Sequence, residues 1–327
     1  MMKKISISIL MMVMFVLLAA CGNSANTTAT PAGANATTAS TYATSTATRT
    51  ITYLNQSYTI PAQAKRIVIT GSLEAMEDSI LLDIHPVGAI SISGKFPPLF
   101  ASITDQAESI GEKVDPNFEK ILSLKPDIIL GTTKFDPAVL EKLKQIAPTI
   151  PYSHVATNWE ANLNLLGDIS GKQQQATQEI NEYKANLEKA KTSLQPTLQD
   201  KQVLLVRIRE GSVCLYGPDL YFNPVLYSDL GLAIPTEVAS AQSQEAISIE
   251  QFAQMNPDVL FIQFSEDENP DATGALEDLQ NNPIFQSIQA FKDGNVFVNV
   301  VDPLAQGGTA YSKIQFLQAF VDKLQSK

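Results

Sequence analysis

Arg207 and Arg209 stand two residues apart at the end of the apolar run Val203-Leu204-Leu205-Val206. Alternate residues of a strand project from the same face, so the two guanidiniums share one side and Ile208 takes the other. Arginine keeps its proton and offers a planar fork of donors, which suits an anion. Such a pair can also be a surface pair neutralised by Glu210 and other acids. The preceding run reads as a buried central strand, however, and side chains beyond its carboxyl end lie at the mouth of an α/β cleft. Lys134 follows the strand-like run ending at Gly131 in the same way, so it can face the arginines across a cleft. Lys113, after Gly111-Glu112, and Lys95, in Ser93-Gly94-Lys95-Phe96-Pro97, are further loop bases. For Lys113 the plain reading is a solvated loop lysine, and Lys95 is expected to be half exposed.

Other chemistry finds little support. His85 sits in the turn Asp83-Ile84-His85-Pro86, and His154 closes a strand near Trp159. Neither has a Ser or Cys nucleophile at recognisable spacing, and no Gly-x-Ser-x-Gly elbow or phosphate loop is present. His154 can line the cleft or serve as a hydrogen-bonded structural residue. Trp159, Tyr216, Tyr221, Phe222 and Tyr311 can stack on an aromatic ligand or simply pack a core. With 2 Cys and 2 His, a disulfide framework or a multi-ligand zinc site is not expected. Cys214, in Val213-Cys214-Leu215, reads as a buried spectator.

The elements that must position these bases alternate. A starting hairpin is expected over Ile51–Leu54, Asn55-Gln56 and Ser57–Ile60. Strands are expected at Ile67–Thr70, Val87–Ile90, Asp127–Leu130 and Thr149–Tyr152, then at Val203–Arg209, Asp258–Ile262 and Asn295–Val298. Short apolar strands alternating with helices indicate α/β layers. Between the two blocks, Gly171 to about Gln199 is rich in Gln, Glu, Lys and Ala, which predicts one long helix. Some 25 residues at 1.5 Å each give a stiff strut of about 37 Å, so closure of the lobes should be modest.

The blocks share an internal repeat. Asn117 to Ile129 aligns with Ser248 to Leu260, each a short helix, a Pro-Asp stop and a buried strand. Glu119 and Glu250 fall at equivalent places in the first helical turn. There they complement the helix dipole, worth about 0.3–1 kcal/mol, or form a matched pair of docking charges.

The chain has 327 residues and a net charge of −11, with 44% apolar and 17% charged residues. It can bury a large core, and its acidity argues against nucleic acid and against a basic membrane patch. Lys3 and Lys4 precede an apolar run, Ile5 to Ala20, which is short for a spanning helix of about 20 residues and reads as a secretory signal. Its ending, Leu18-Ala19-Ala20-Cys21, resembles a bacterial lipobox, which implies cleavage before Cys21 and lipidation of its thiol. From Gly22 to Thr50 the chain is almost wholly Ser, Thr, Ala, Asn and Gly, with no acid and one base, Arg49, and reads as a tether. Without Lys3, Lys4 and Arg49 the body from residue 50 holds 20 bases against 34 acids.

From about Lys65 onward the chain resembles the siderophore-binding lipoproteins of iron ABC importers, and within them the Gram-positive binders of ferric triscatecholates. The carrying segments are Gly71-Ser72-Leu73-Glu74-Ala75-Met76-Glu77-Asp78, Gly94-Lys95-Phe96-Pro97, Gly111-Glu112-Lys113, Thr133-Lys134-Phe135, Ser153-His154 with Asn158-Trp159, and Arg207-Ile208-Arg209. Tyr221-Phe222-Asn223, Tyr227-Ser228-Asp229-Leu230-Gly231 and the stretch Val301 to Ala310 complete them. The resemblance implies a bilobal periplasmic-binding-protein-like α/β fold, two Rossmann-like lobes joined by one long helix. Its divisions are a signal over 1–20, a tether over 21–49, a first lobe over 50–168, the helix over 169–200 and a second lobe over 201–327. It implies that Lys113, Lys134, Arg207 and Arg209 hold an anionic ferric siderophore, with Lys95, His154, Trp159, Tyr221, Gln242 and Tyr311 as further candidates. It favours docking of Glu119 and Glu250 on arginines of an ABC permease. A monomer is expected, lipid-anchored at Cys21 outside the cell membrane, without catalysis or cofactor. Two departures bear on ligand preference: Thr236 to Ile247 lacks an expected lysine, with Gln242 about where it would fall, and Tyr311 stands for an expected Trp. Ferric citrate, ferric hydroxamate, haem or a corrinoid are therefore alternative ligands, and an anchored envelope hydrolase is the remote one.

Overall fold

Residues 47–325 are described by a computed structural model. The expected signal, Cys21 and most of the tether lie outside them. Strands β1 (Thr48–Tyr53) and β2 (Gln56–Pro61) form the expected hairpin. Its turn is Leu54-Asn55, one residue earlier than expected, with φ of 46° and 63°. That doubly positive pair is what a tight two-residue hairpin turn demands. Arg49, counted with the tether, belongs to β1 instead. Its Nη1 donates to Asp168 Oδ1 at 3.0 Å and its Nη2 to the Asp168 carbonyl at 2.7 Å.

The first lobe follows. It contains β3 (Ile67–Ile69), α1 (Leu73–Leu81), β4 (Gly88–Ser91), β5 (Glu108–Glu112), α2 (Phe118–Ser123), β6 (Ile128–Thr132), α3 (Pro137–Lys144), β7 (Thr149–Tyr152) and α4 (Trp159–Ser170). Its sheet is wholly parallel in the order β5-β4-β3-β6-β7. Connections leave β3 for one side and enter β6 from the other, so the carboxyl ends of these two neighbours form a crevice.

Gly171, with φ of +76°, ends α4 in a left-handed cap. Then comes α5 (Gln173–Leu198), the expected long helix of 26 residues. It buries Ala176, Ile180, Tyr183, Leu187, Ala190, Leu194 and Leu198, a single stripe at three- and four-residue spacing.

The second lobe has β8 (Val203–Arg209), β9 (Ser212–Tyr216), α6 (Thr236–Ser240), β10 (Gln244–Ile247), α7 (Ile249–Met255) and β11 (Val259–Phe264). Three short helices follow, α8 (Ala275–Asn281), α9 (Pro283–Gln286) and α10 (Gln289–Lys292), then β12 (Val296–Val298) and α11 (Ala310–Gln325). The sheet order is β10-β9-β8-β11-β12. β8, β11 and β12 run parallel, while β9 and β10 pair antiparallel. The internal repeat is realised as α2–β6 and α7–β11. In each copy the Pro-Asp aspartate ties down the neighbouring strand: Asp127 Oδ2 accepts from the Lys65 and Arg66 N–H groups, and Asp258 Oδ2 from that of Gln202.

A second helix joins the lobes. On α11, Phe316 and Phe320 pack against Phe261 of β11 at 5.5 and 5.3 Å, while other turns meet α1, α4 and α5. Lys313, fully buried, donates to Asp229 Oδ2 at 2.6 Å beneath Trp159 and Tyr183. At the start of α11, buried Glu77 of α1 accepts from the Gln306 N–H and from the hydroxyls of Thr309 and Ser312, each at 2.6 Å. Asp78 beside it accepts from the Tyr152 hydroxyl at 2.7 Å and the Tyr311 N–H at 3.3 Å. Burial pushes Glu77 up to about 8 and Asp78 up to about 7, against the opposing pull of these donors.

A carboxyl whose folded pKa is raised binds more protons folded than unfolded between its two pKa values. Stability is then lost as pH rises through that window, here roughly pH 4 to 8. The melting temperature is accordingly expected to fall from about pH 5 to pH 8, by several degrees for one to two kcal/mol. A calorimetric series rising over that range would contradict the assignment.

Candidate functional site

In the first lobe the site begins at the crevice between β3 and β6. Gly71 has φ of +72°, and a Cβ there would lie 2.2 Å from the Phe135 ring. Glycine thus lets Phe135 press onto the β3–α1 turn, which brings its neighbour Lys134 to the start of α1. Ser72 caps that helix, its Oγ accepting from the Ala75 N–H at 3.1 Å. Glu74, in the first turn and only 5% exposed, receives the Lys134 ammonium on Oε1 at 2.9 Å and the Ser72 hydroxyl on Oε2 at 3.3 Å.

Lys113, just beyond β5, is half-buried. Burial holds its ammonium below the usual lysine range. Glu74 pulls it back up, and Lys134, Arg207 and Arg209 push it further down. The electrostatic field at Lys113 therefore includes cations of both lobes. Lys95 is exposed in a turn held to β5 through Glu112, whose carboxylate accepts from the Ser93 and Gly94 N–H groups at 3.1 and 3.0 Å. His154 Nδ1 lies 2.7 Å from Thr133 Oγ1, beside the Lys134 loop. Burial and, next, Lys134 lower its pKa, against Glu74.

In the second lobe both arginines project from the end of β8 as expected, while Ile208 is buried in the core. Their acid is not Glu210 but Glu268, beyond the end of the adjacent strand β11. Glu268 Oε2 accepts from Arg207 Nε at 2.7 Å and lies 2.6 Å from its Nη2, and Oε1 lies 3.5 Å from Arg209 Nε. Buried Asn269 fastens this turn, its Nδ2 donating to the Ile208 carbonyl at 3.0 Å and its Oδ1 accepting from the Gly211 N–H at 2.9 Å. Arg207 also donates to the Pro303 carbonyl at 3.2 Å and lies 4.9 Å above the Tyr221 ring. Its side chain is 8% exposed, whereas that of Arg209 is 38% exposed and reaches Gln244 Oε1 at 2.8 Å. The Tyr216 hydroxyl donates to the same oxygen at 2.7 Å.

Tyr221 is held in a left-handed conformation, φ 58°, that few large residues adopt. A Cβ on Gly307 would lie 2.4 Å from the Tyr221 backbone, so these two chain segments meet directly. The Tyr221 hydroxyl is buried and has no hydrogen-bond partner among the described residues.

Three further candidates sit apart from the four bases. Trp159 is 8% exposed and makes an edge contact with Tyr183 at 5.2 Å, so it packs the joint between helices. Gln242 is exposed and holds Glu245 through its N–H at 3.1 Å, while Gln244, two residues on, takes the arginine contact. Tyr311 lines a separate cavity of about 250 Å³ with Asp302 and Gln318, whose walls include none of the four bases. Glu119 and Glu250 are exposed in first turns capped by Asn117 and Ser248, and neither is ion-paired among the described residues. Sequence reasoning missed the partners Glu74, Glu268 and Gln244. Glu74 lies inside a quoted motif. Glu268 is distant along the chain from Arg207, and the adjacency of β8 and β11 brings them together.

Two α/β lobes, one with a parallel sheet and one with a mixed sheet, held by long helices and carrying bases at or just beyond strand ends, define a solute-binding architecture. Residues 94–299 match the periplasmic binding protein family, and the chain belongs to it. It is 46% identical over 323 residues, 99% of each chain, to the iron-uptake system-binding protein of Bacillus subtilis strain 168. The triscatecholate siderophore binding protein FeuA of Bacillus subtilis, solved with ferri-bacillibactin, matches with a TM-score of 0.80 and 49% identity, over 85% of this chain and 99% of that one. The catecholate-siderophore binding protein VctP of Vibrio cholerae shares the fold, with a TM-score of 0.68 and 22% identity over 86% of this chain and 100% of that one.

Proposed function

We propose that this protein captures a ferric siderophore of the triscatecholate type in the cleft between its lobes and delivers it to an ABC permease. The observation that carries the reading is the placement of four bases at or beyond strand ends, Lys113 and Lys134 in the first lobe and Arg207 and Arg209 in the second, with both arginines and Lys134 acting on Lys113 electrostatically. A ferric triscatecholate bears three negative charges and presents flat aromatic rings. The lysines act as compact point charges and the guanidiniums as forked donors. Cations against the ring faces add about 0.5–2 kcal/mol each. The similarity to a protein solved with ferri-bacillibactin supports this ligand class.

We further infer that cleavage before Cys21 and acylation of its thiol anchor the protein on the extracytoplasmic face. Several acyl chains, at about 0.8 kcal/mol per buried methylene, suffice for this. Cys21→Ser should then release the protein into the medium, and retention at the membrane would count against the anchor.

The ligand class is tested by fluorescence, because the chain has 1 Trp, Trp159. Coloured ferric catecholates absorb where tryptophan emits, so energy transfer reports binding although Trp159 is buried. Titration should give saturable quenching with ferric bacillibactin and little with ferric hydroxamates or ferric citrate at equal concentration. Tight quenching by the hydroxamate alone would refute the catecholate assignment.

A further inference from the structure

An anion-binding cleft built only for attraction would leave its bases unpaired, yet three of these four are already engaged by carboxylates. Glu268 holds Arg207, 2.7 Å from its Nε and 2.6 Å from its Nη2, and stands 3.5 Å from Arg209. Glu74 holds Lys134 at 2.9 Å. One acid comes from each lobe, each just beyond a strand adjacent to the one that supplies its base. Neither carboxylate is loosely placed. Glu74 lies in a capped helical turn and Glu268 in a turn pinned to β8 by the buried Asn269. Two acids against the four bases leave the cleft with a net two positive charges, fewer than a triply negative complex would neutralise.

We propose that Glu74 and Glu268 are built-in counter-anions that set the charge the cleft accepts, lowering affinity for a trianion to a level from which it can be handed on. The inference rests on the proposed function of the same site. In the empty protein the acids neutralise cations that would otherwise repel one another. When the complex enters, they stay within reach of its oxygens and repel it. A charge that repels the ligand across a partly solvated site contributes about a tenfold factor in affinity. Because the repulsion persists in the complex, it acts mainly on dissociation.

The test is Glu268→Gln, which removes the charge but keeps a carbonyl oxygen to receive Arg207. Glu74→Gln is the matching variant in the other lobe, informative if the first does not fold. With ferric bacillibactin, each is expected to bind about tenfold more tightly, with slower dissociation and a steeper loss of affinity with salt. A cationic ferric trihydroxamate should show no such gain. Unchanged or weaker binding of ferric bacillibactin by the folded variants overturns the inference, since the acids would then serve only to position the bases. If the unaltered protein fails to bind ferric bacillibactin, the proposed function falls instead, so the two failures are distinguishable.

Discussion

Replacing both arginines by acids, Arg207→Glu with Arg209→Glu, is expected to weaken binding of ferric bacillibactin by about a thousandfold or more. Two attractive charges become two repulsive ones, and about 4 kcal/mol of differential Coulomb energy is a thousandfold in affinity. The effect is reinforced locally. A glutamate at position 207 would face Glu268, which now accepts a hydrogen bond from Arg207 Nε and pairs with its guanidinium. Because Arg207 is buried and its reversal strains the fold, Arg209→Glu alone serves as the milder variant, at a position 38% exposed. It should lose roughly ten- to a hundredfold, on the same Coulomb arithmetic. Calorimetric titration of variants whose melting is cooperative reads both numbers, and unchanged affinity would remove the arginines from the site.

The second large effect separates capture from delivery. Glu119→Ala with Glu250→Ala is expected to reduce cellular uptake of ferric bacillibactin at least tenfold while leaving its affinity within about twofold, the size of effect expected when docking charges are lost without a change in the ligand site. Both side chains are exposed in the first turns of α2 and α7, with no ion pair among the described residues. Their removal costs the fold only the helix-dipole contribution, about 0.3–1 kcal/mol each, small beside a typical total stability of 5–15 kcal/mol. Their placement at matching points of the α2–β6 and α7–β11 repeats gives two acids, one on each lobe. Normal uptake by the double variant would leave them as dipole partners only. Loss of ligand affinity would put them in the binding site and contradict the docking role.

What could be read in the residues depended on how local the cause was. Apolar runs such as Val203–Val206, and the 26-residue helix α5, carry their signals within themselves, and both were legible. Two of the four edge strands, β5 and β10, were not. β5 buries only Ile110, and β10 is exposed over three of its four residues. β9 had a usable signal: Glu210-Gly211, with φ of 51° and 74°, forms a two-residue hairpin turn between apolar runs. The positions of the four bases were legible because each lies at a strand end or after a strand or glycine turn. Their acids were not, because Glu268 reaches Arg207 only through the adjacency of β8 and β11, which is tertiary information. The same holds for α11. Its helical pattern is local, but its role as a second tie between lobes rests on Glu77 and Asp78, far off in sequence. Trp159 stayed open between two readings for a related reason, since an aromatic beside a polar loop serves a cleft and a core equally well.

The claim on which the rest depends is that bases of both lobes converge on one trianionic complex. Isothermal titration of the unaltered protein with ferric bacillibactin, repeated from low to high salt, addresses it directly. One complex should bind per chain, with micromolar or tighter affinity that falls steadily as salt screens the cations. Absence of binding at low salt, or tight binding indifferent to salt, would contradict it.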